Sequence, residues 1–154
     1  MSDMDSDNPA PALQFTEVPI PTTTLTADLV EKLRRHYSDA QNGPSGVFLT
    51  EVGWNGSAST RRCDALYMGL TSTSGRLLVG HEVKVSRQDW LRELADTTKA
   101  GEWADQCHRW WLVTLPGVVH DGELPSGWGL MYPGRGTRMK IVTTPFTYKD
   151  RVPS

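Results

Sequence analysis

The sequence predicts an α/β fold, a central mixed β-sheet flanked by helices. Residues 77–85 (LLVGHEVKV) alternate in the manner of a β-strand, and the strand leads directly into Ser86, which is a natural N-cap for a helix. A second apolar strand is expected at 109–115, after a further helical stretch. Strands that alternate with helices along the chain are typical of α/β proteins.

Length and composition bound the class of protein. A chain of 154 residues is long enough for one domain with a substantial core. Hydrophobic residues at 38% and charged residues at 22% are typical of a globular protein, and no apolar run approaches the ~20 residues of a membrane-spanning helix. The first residues lack the basic and apolar regions of a secretory signal, so we expect a cytoplasmic protein without a membrane partner.

The chain divides into a tail and one domain. Residues 1–24 are rich in Asp, Ser, Pro and Thr, which predicts a disordered tail and leaves residues 25–154 as a single domain. The spacing of apolar residues predicts a first helix at 26–38, with Asp28 and Glu31 as a capping box at its start.

Short segments complete the predicted sheet. The helix capped by Ser86 is expected to run to about residue 95, and another helix is expected around 101–108. Because the turn TSTSG separates the strand at 61–70 from the strand at 77–85, these two strands are expected to form a hairpin. The remaining strands are predicted at 47–52, 128–132 and 138–144.

A carboxylate and an ammonium share one face of the strand at 77–85. Glu82 and Lys84 lie on this face, and burial of such a pair seldom yields net stability, so a functional role is favoured. The hairpin partner strand adds Asp64. Two carboxylates on adjacent strands are suited to a Mg²⁺-sized cation, and Lys84 is suited to stabilising charge on a phosphate.

This arrangement resembles the signature of the PD-(D/E)xK nuclease superfamily, with Asp64 as its first acid and Glu82-Val83-Lys84 as its ExK. The segments RRCD, EVKVSRQDWL and DQCHRWWLV are similar to those of the MmcB-like DNA-repair group within that superfamily. The resemblance covers about Val47 to Tyr132. It departs from the superfamily pattern at Cys63, which stands where the superfamily has Pro.

The resemblance implies a restriction-endonuclease-like core and a set of site residues. Asp64, Glu82 and the Val83 carbonyl would bind Mg²⁺ (or Mn²⁺), and Lys84 would be catalytic. Superfamily members often add a glutamate from or near the first helix. Here Glu51 is preferred to Glu31, because Glu51-Val52 before a loop into RRCD matches the group better and Glu31 is already explained by the capping box.

The function that the resemblance implies is metal-dependent hydrolysis of phosphodiester bonds in DNA, in repair, recombination or phage DNA processing. A catalytically silent nucleic-acid-binding module, or a protein adaptor on the same fold, is the alternative. DNA is the expected partner. A homodimer is also considered, because a small nuclease core has little surface with which to grip a duplex.

Contacts with nucleic acid are expected to be local, because the net charge of the chain is −2. Four basic residues flank the acids in sequence, Trp54 lies in a polar loop suited to stacking, and Gln106 with Trp110 resembles a Gln-x-x-x-Tyr element of one nuclease branch. His81 is expected to be a core histidine. The predicted nucleic-acid contacts are Arg61, Arg62, Arg87, Lys99, Trp54 and Gln106.

Overall fold

A computed structural model describes residues 20–39, 46–53, 62–72 and 75–150. Within these ranges the chain forms one six-stranded mixed sheet and helices, which confirms the predicted α/β class. The helices are α1 (Thr22–Ser38), α2 (Arg87–Ala95) and α3 (Thr98–Ala104), and the strands are β1 (Gly46–Gly53), β2 (Arg62–Gly69), β3 (Leu78–Lys84), β4 (Arg109–Thr114), β5 (Gly129–Pro133) and β6 (Met139–Thr143).

The strands follow one another across the sheet in sequence order, β1 to β6. The first three form an antiparallel meander, β3, β4 and β5 are mutually parallel, and β6 is antiparallel to β5. A parallel pair needs a crossover, which α2 and α3 supply between β3 and β4. None of the described helices is long and apolar enough to cross a membrane.

The sheet separates two hydrophobic cores. Val79 and Val83 of β3 pack into the core that contains Leu29 and Leu33 of α1. The other core contains Trp90 of α2 together with residues of α3. Because side chains alternate along a strand, Glu82 and Lys84 are directed to the side of the sheet that carries α2 and α3.

Gly80 lets the ring of Trp110 lie directly against β3 just before the candidate site. A Cβ atom at this position would lie 2.3 Å from the ring of Trp110 and 2.8 Å from the Sγ of Cys107. Trp110 and Trp111 are both buried, as expected for core residues. Any larger side chain at position 80 would therefore displace the ring of Trp110 or shift β3, the strand that presents Glu82.

Helix α1 begins earlier than the sequence predicted. It starts at Thr22, so the predicted capping box was wrong: Asp28 and Glu31 lie inside the helix. Pro21 occupies the N-cap position, and Leu25 adds an apolar contact with the core beneath α1, which favours extension of the helix. The predicted tail therefore ends too late at residue 24, and residues 1–19 lie outside the described residues.

The helices between β3 and β4 differ in how well they were predicted. The cap of α2 is confirmed, since the Ser86 hydroxyl accepts a hydrogen bond from the Asp89 N–H at 3.2 Å. Helix α3 was predicted too late, at 101–108. It starts at Thr98 because Ala100 packs into the core on that side, and the backbone forms turns after Ala104.

His81 links β3 to α1 and β2 inside the core. Its side chain is fully buried, its Nδ1 lies 3.1 Å from the Ala65 carbonyl oxygen, and its Nε2 lies 2.6 Å from the Tyr37 hydroxyl. A carbonyl can only accept, so Nδ1 carries the proton and Nε2 accepts from Tyr37. Burial lowers the pKa of His81 to about 3, so the expected core histidine is confirmed and is held neutral.

We expect His81 to make stability depend on pH. Its pKa is 6.5 when unperturbed and about 3 in the folded state, so the unfolded chain binds a proton that the folded chain excludes. Stability should be fully present above pH 6.5 and fall by up to about 1.4 kcal/mol per pH unit below it. Urea denaturation of wild type and His81→Gln across this range measures the effect.

The control is Tyr37→Phe, which removes the hydrogen bond at Nε2 and leaves the ring of His81 able to titrate. This variant should keep the wild-type slope of unfolding free energy against pH. A difference between wild type and His81→Gln that stays constant with pH would contradict the assignment.

Candidate active site

The ladder between β2 and β3 ends at the pair Ala65 and His81. Continuing that antiparallel register by one residue brings Asp64 next to Glu82, and the charge of Asp64 acts on the Glu82 carboxyl. The Asp64 Oδ2 accepts a hydrogen bond of 2.7 Å from the Val83 N–H. A carboxylate thus takes the place of the next backbone partner, and this contact fixes Asp64 beside β3.

Lys84 lies between two carboxylates on the same side of the sheet. Its Nζ is 2.8 Å from Glu82 Oε1 and 3.3 Å from Oε2 of Glu93, which belongs to α2. The side chains are 20%, 13% and 13% exposed for Lys84, Glu82 and Glu93 respectively. The ammonium is therefore held in one place by two elements of the fold.

Glu93 was absent from the residues predicted from sequence. It follows the buried Trp90 by three positions on α2, which places both on one side of the helix. That spacing was the available signal. It is weak, because a glutamate next to an apolar stripe is also common at the margin of a solvated helix face.

Burial and mutual repulsion shift the pKa values of this cluster. Burial raises the pKa of Asp64, and burial followed by the charge of Asp64 raises the pKa of Glu82 to about 7. Burial alone would lower the pKa of Lys84, but the carboxylates of Glu82 and Glu93 outweigh it and raise the pKa. With all four groups ionised, three carboxylates and one ammonium give a local charge of −2.

Glu51 lies on β1 in a left-handed backbone conformation, with φ of 50°. The register of β1 and β2 passes from Thr50 with Ala65 to Val52 with Cys63, so Glu51 falls opposite Asp64. The conformation of Glu51 also interrupts the alternation of β1 side chains between the two faces of the sheet. Phe48 packs with the core beneath α1, whereas Val52 packs with the core beneath α2 and α3.

An open cleft of about 480 Å³ borders Asp64 between the N-terminal parts of α1 and α2. Glu51 and Glu31 both line it. Glu31 is engaged with Arg34 and Arg35 at 3.4 Å each, so its charge is already compensated. The choice of Glu51 as the auxiliary acid therefore remains a prediction, and only one of its two reasons, the capping role of Glu31, is wrong.

The donor set fits a hard divalent cation. Asp64 and Glu82 supply carboxylate oxygens, and the Val83 carbonyl is directed to the same side of β3 as the Val83 N–H that meets Asp64. Mg²⁺ typically takes one or two carboxylates and retains several waters. In the part of the chain that the structure describes, no group of three His, Cys, Asp or Glu side chains is arranged to hold a metal ion.

The residues predicted to contact nucleic acid lie in different settings. Arg62 is exposed on β2, two residues before Asp64. Arg87 is bound by Glu123 through two contacts of 2.5 and 2.6 Å, and it also donates to the Val118 carbonyl, so it secures the segment after β4. Gln106 is half-buried in the turn after α3. Trp54, Arg61 and the side chain of Lys99 lie outside the described residues.

We expect Lys84→Met to destabilise the protein. The substitution leaves Glu82 and Glu93 without the ammonium that they share, which should lower the free energy of unfolding by about 3 kcal/mol. This value is at the lower end of the range for breaking a buried ion pair, because the Lys84 side chain is partly exposed. The loss of unfolding free energy should become smaller as the pH falls from about 9 to 6, because protonation removes the charge of Glu82. The pKa of Glu82 is about 7 in wild type and rises further without Lys84.

Chemical denaturation at several pH values measures this loss, with Lys140→Met on the exposed face of β6 as the matched control. The control should differ little from wild type at any pH. An equal effect of the two substitutions would show that the ammonium of Lys84 has no special role in compensating the carboxylates.

Comparisons with known proteins extend the description of the fold. No family model and no curated protein matches the chain. Among solved structures, the chain is similar to a protein of unknown function from Silicibacter pomeroyi, with a TM-score of 0.56 and 19% sequence identity. The match covers 86% of this chain and 77% of that protein. At this identity the likeness concerns the fold alone.

Proposed function

We propose that this protein is a metal-dependent endonuclease of the PD-(D/E)xK type that hydrolyses phosphodiester bonds of DNA in the cytoplasm, in repair, recombination or phage DNA processing. The observation that carries the proposal is the cluster at the end of the β2–β3 ladder. Asp64 accepts a hydrogen bond from the N–H of Val83, the residue after Glu82, and Lys84 contacts Glu82 at 2.8 Å. Burial of such charges is costly for stability, which favours a role in chemistry.

A divalent cation is the cofactor in this proposal. Asp64, Glu82 and the Val83 carbonyl would hold Mg²⁺ or Mn²⁺. When bound, such an ion lowers the pKa of a water ligand and neutralises charge on the phosphate. The local charge of −2 and the raised pKa of Glu82 both indicate a site that gains stability from a dication.

Lys84 is the group of the chain that would act on the reacting phosphate. Water attacks the phosphorus, the bond to one ester oxygen breaks, and the products are an alcohol and a phosphate monoester. Lys84 remains protonated at neutral pH because neighbouring carboxylates raise its pKa. It therefore carries a fixed positive charge that can stabilise the negative charge that develops on the phosphate oxygens.

The partners in this proposal are DNA and a second copy of the chain. Arg62 is exposed near Asp64 and is suited to a phosphate of the DNA backbone. A homodimer would enlarge the surface available to a duplex. Three apolar side chains on β1 and β2 are available for such a contact: Val47, Leu49 and Met68 are 43%, 50% and 45% exposed.

Cleavage assays test the proposed activity. Supercoiled, linear, branched and single-stranded DNA should be incubated with Mg²⁺, Mn²⁺ or EDTA. We expect cleavage with either metal and none with EDTA. Asp64→Asn and Lys84→Gln should each reduce the rate by about 10²–10³-fold, the typical effect of losing one group that stabilises transition-state charge.

Matched controls for these variants are Asp121→Asn and Lys140→Gln, which change the same chemical groups at exposed positions. Both should cleave at the wild-type rate. If wild type binds DNA but cleaves none of the four substrates with either metal, the silent binding module replaces the nuclease. If wild type neither binds nor cleaves DNA, the protein adaptor replaces the nuclease as the proposed function.

Metal affinity should separate the roles of the acids from the role of Lys84. In calorimetric titrations with Mn²⁺, Asp64→Asn and Glu82→Gln should bind the ion at least tenfold more weakly than wild type, because each loses a charged ligand. Lys84→Gln should bind with at least the wild-type affinity, since an ammonium does not ligate a cation. Equal affinity of wild type and Glu82→Gln would contradict the ligand assignment.

A further inference from the structure

A second cleft, of about 590 Å³, lies at the end of the sheet where β3 and β4 begin. Small-molecule sites in proteins have volumes of roughly 300–1,000 Å³, so the cleft is large enough to hold a ligand. Its walls come from the turn before β3, the start of β4 and the segment after β6. The lining residues are Gly75, Arg76, Leu77, His108, Arg109, Thr147 and Lys149.

The charged side chains that line this cleft are all basic. Arg76, Arg109 and Lys149 come from three distant parts of the sequence, and the described residues that line the cleft include no Asp or Glu. Within the described part of the chain, none of the three forms an ion pair. Cations brought together without a counter-ion repel one another, so an anion bound among them would be stabilised.

Arg109 and the backbone around it are held in place by hydrogen bonds. The Arg109 Nε donates to the Thr147 hydroxyl at 2.8 Å. The backbone N–H of Tyr148 donates to the His108 carbonyl, and Nδ1 of His108 accepts from the N–H of Leu78. Because an arginine has five N–H donors, the bond to Thr147 leaves its other donors available to an anion.

Arg76 occupies the cleft in an unusual backbone conformation. Gly75 and Arg76 have φ of 76° and 51°, so two consecutive residues of the turn before β3 are left-handed. Such turns favour Gly, Asn or Asp, because a larger side chain is strained there. Strain of this kind is found where a side chain serves a function, and here arginine supplies a charge that glycine cannot.

We propose that this cleft is a phosphate-binding site, in which Arg76, Arg109 and Lys149 bind one phosphate group of a polynucleotide or of a free phosphorylated small molecule. Arginine is the side chain best suited to two parallel hydrogen bonds with phosphate oxygens, and lysine adds a point charge. The site is separate from the acidic cluster. Leu77, just before β3, and Lys84, at its end, are seven residues apart, which is about 23 Å at the rise of an extended strand.

Binding measurements without divalent metal test this site. Wild type and the double variant Arg76→Gly/Lys149→Gln should be titrated against a labelled single-stranded oligothymidylate, followed by anisotropy, and against inorganic phosphate and thymidine 5′-monophosphate, followed by thermal shift. Glycine suits the left-handed turn, so the double variant should melt at or above the wild-type temperature. The matched control is Arg135→Gln/Lys140→Gln, which removes two exposed charges elsewhere.

We expect the double variant to bind at least one of these probes at least roughly tenfold more weakly, through the loss of charge-assisted hydrogen bonds. If the phosphate belongs to a polynucleotide, oligothymidylate binding should weaken and its log–log salt slope should fall by about 0.7, the contribution of one phosphate on a single strand. If the ligand is a free phosphorylated molecule, the double variant should lose the thermal shifts caused by inorganic phosphate and thymidine 5′-monophosphate and should bind oligothymidylate as wild type does. The control should match wild type in both assays.

Wild-type affinity of the double variant for all three probes would overturn the proposal. The single variant Arg109→Gln provides a second readout that does not alter the turn, and it should weaken the same probe. The titrations contain no divalent metal, and inorganic phosphate and thymidine 5′-monophosphate contain no phosphodiester bond, so this result does not depend on whether the acidic cluster cleaves DNA.

Discussion

Burial of several carboxylates around one ammonium is the constraint on which the candidate site depends. The sheet and α2 together bring Glu82 and Glu93 to Lys84, and the end of the β2–β3 ladder adds Asp64. Burial, followed by the charge of Asp64, raises the pKa of Glu82 to about 7 although Lys84 lies beside it, so a single lysine does not fully compensate the acids. In the proposed function a divalent cation would supply the missing charge, which connects the electrostatics of the fold to the proposed chemistry.

The rest of the structure holds these groups against their repulsion. Gly80 lets Trp110 pack directly on β3, two residues before Glu82, and Ser86 caps α2 so that Glu93 is presented to Lys84. Arg87 and Glu123 then tie the start of α2 to the segment after β4. The side chains that pack or form ion pairs near the site thus hold the charged groups of the site in position.

Local patterns in the sequence were sufficient to predict the central strand and the cap of α2, because alternation and capping depend on neighbouring residues. The start of α1 was mispredicted, since the contact of Leu25 with the core is a tertiary effect. Glu93 was missed because the rotation of α2 about its axis is set by the burial of Trp90. The basic cleft could not be found at all, because Arg76, Arg109 and Lys149 meet only in the folded chain.

The central claim is that Asp64 and Glu82 share a divalent cation. Crystals soaked in Mn²⁺, with data collected near the manganese absorption edge, test this claim most directly. The account predicts an anomalous peak within about 2–2.5 Å of oxygens from both carboxylates, with the Val83 carbonyl as a further ligand. A map without a peak between them, in crystals where the contact of Lys84 with Glu82 is intact, would contradict it.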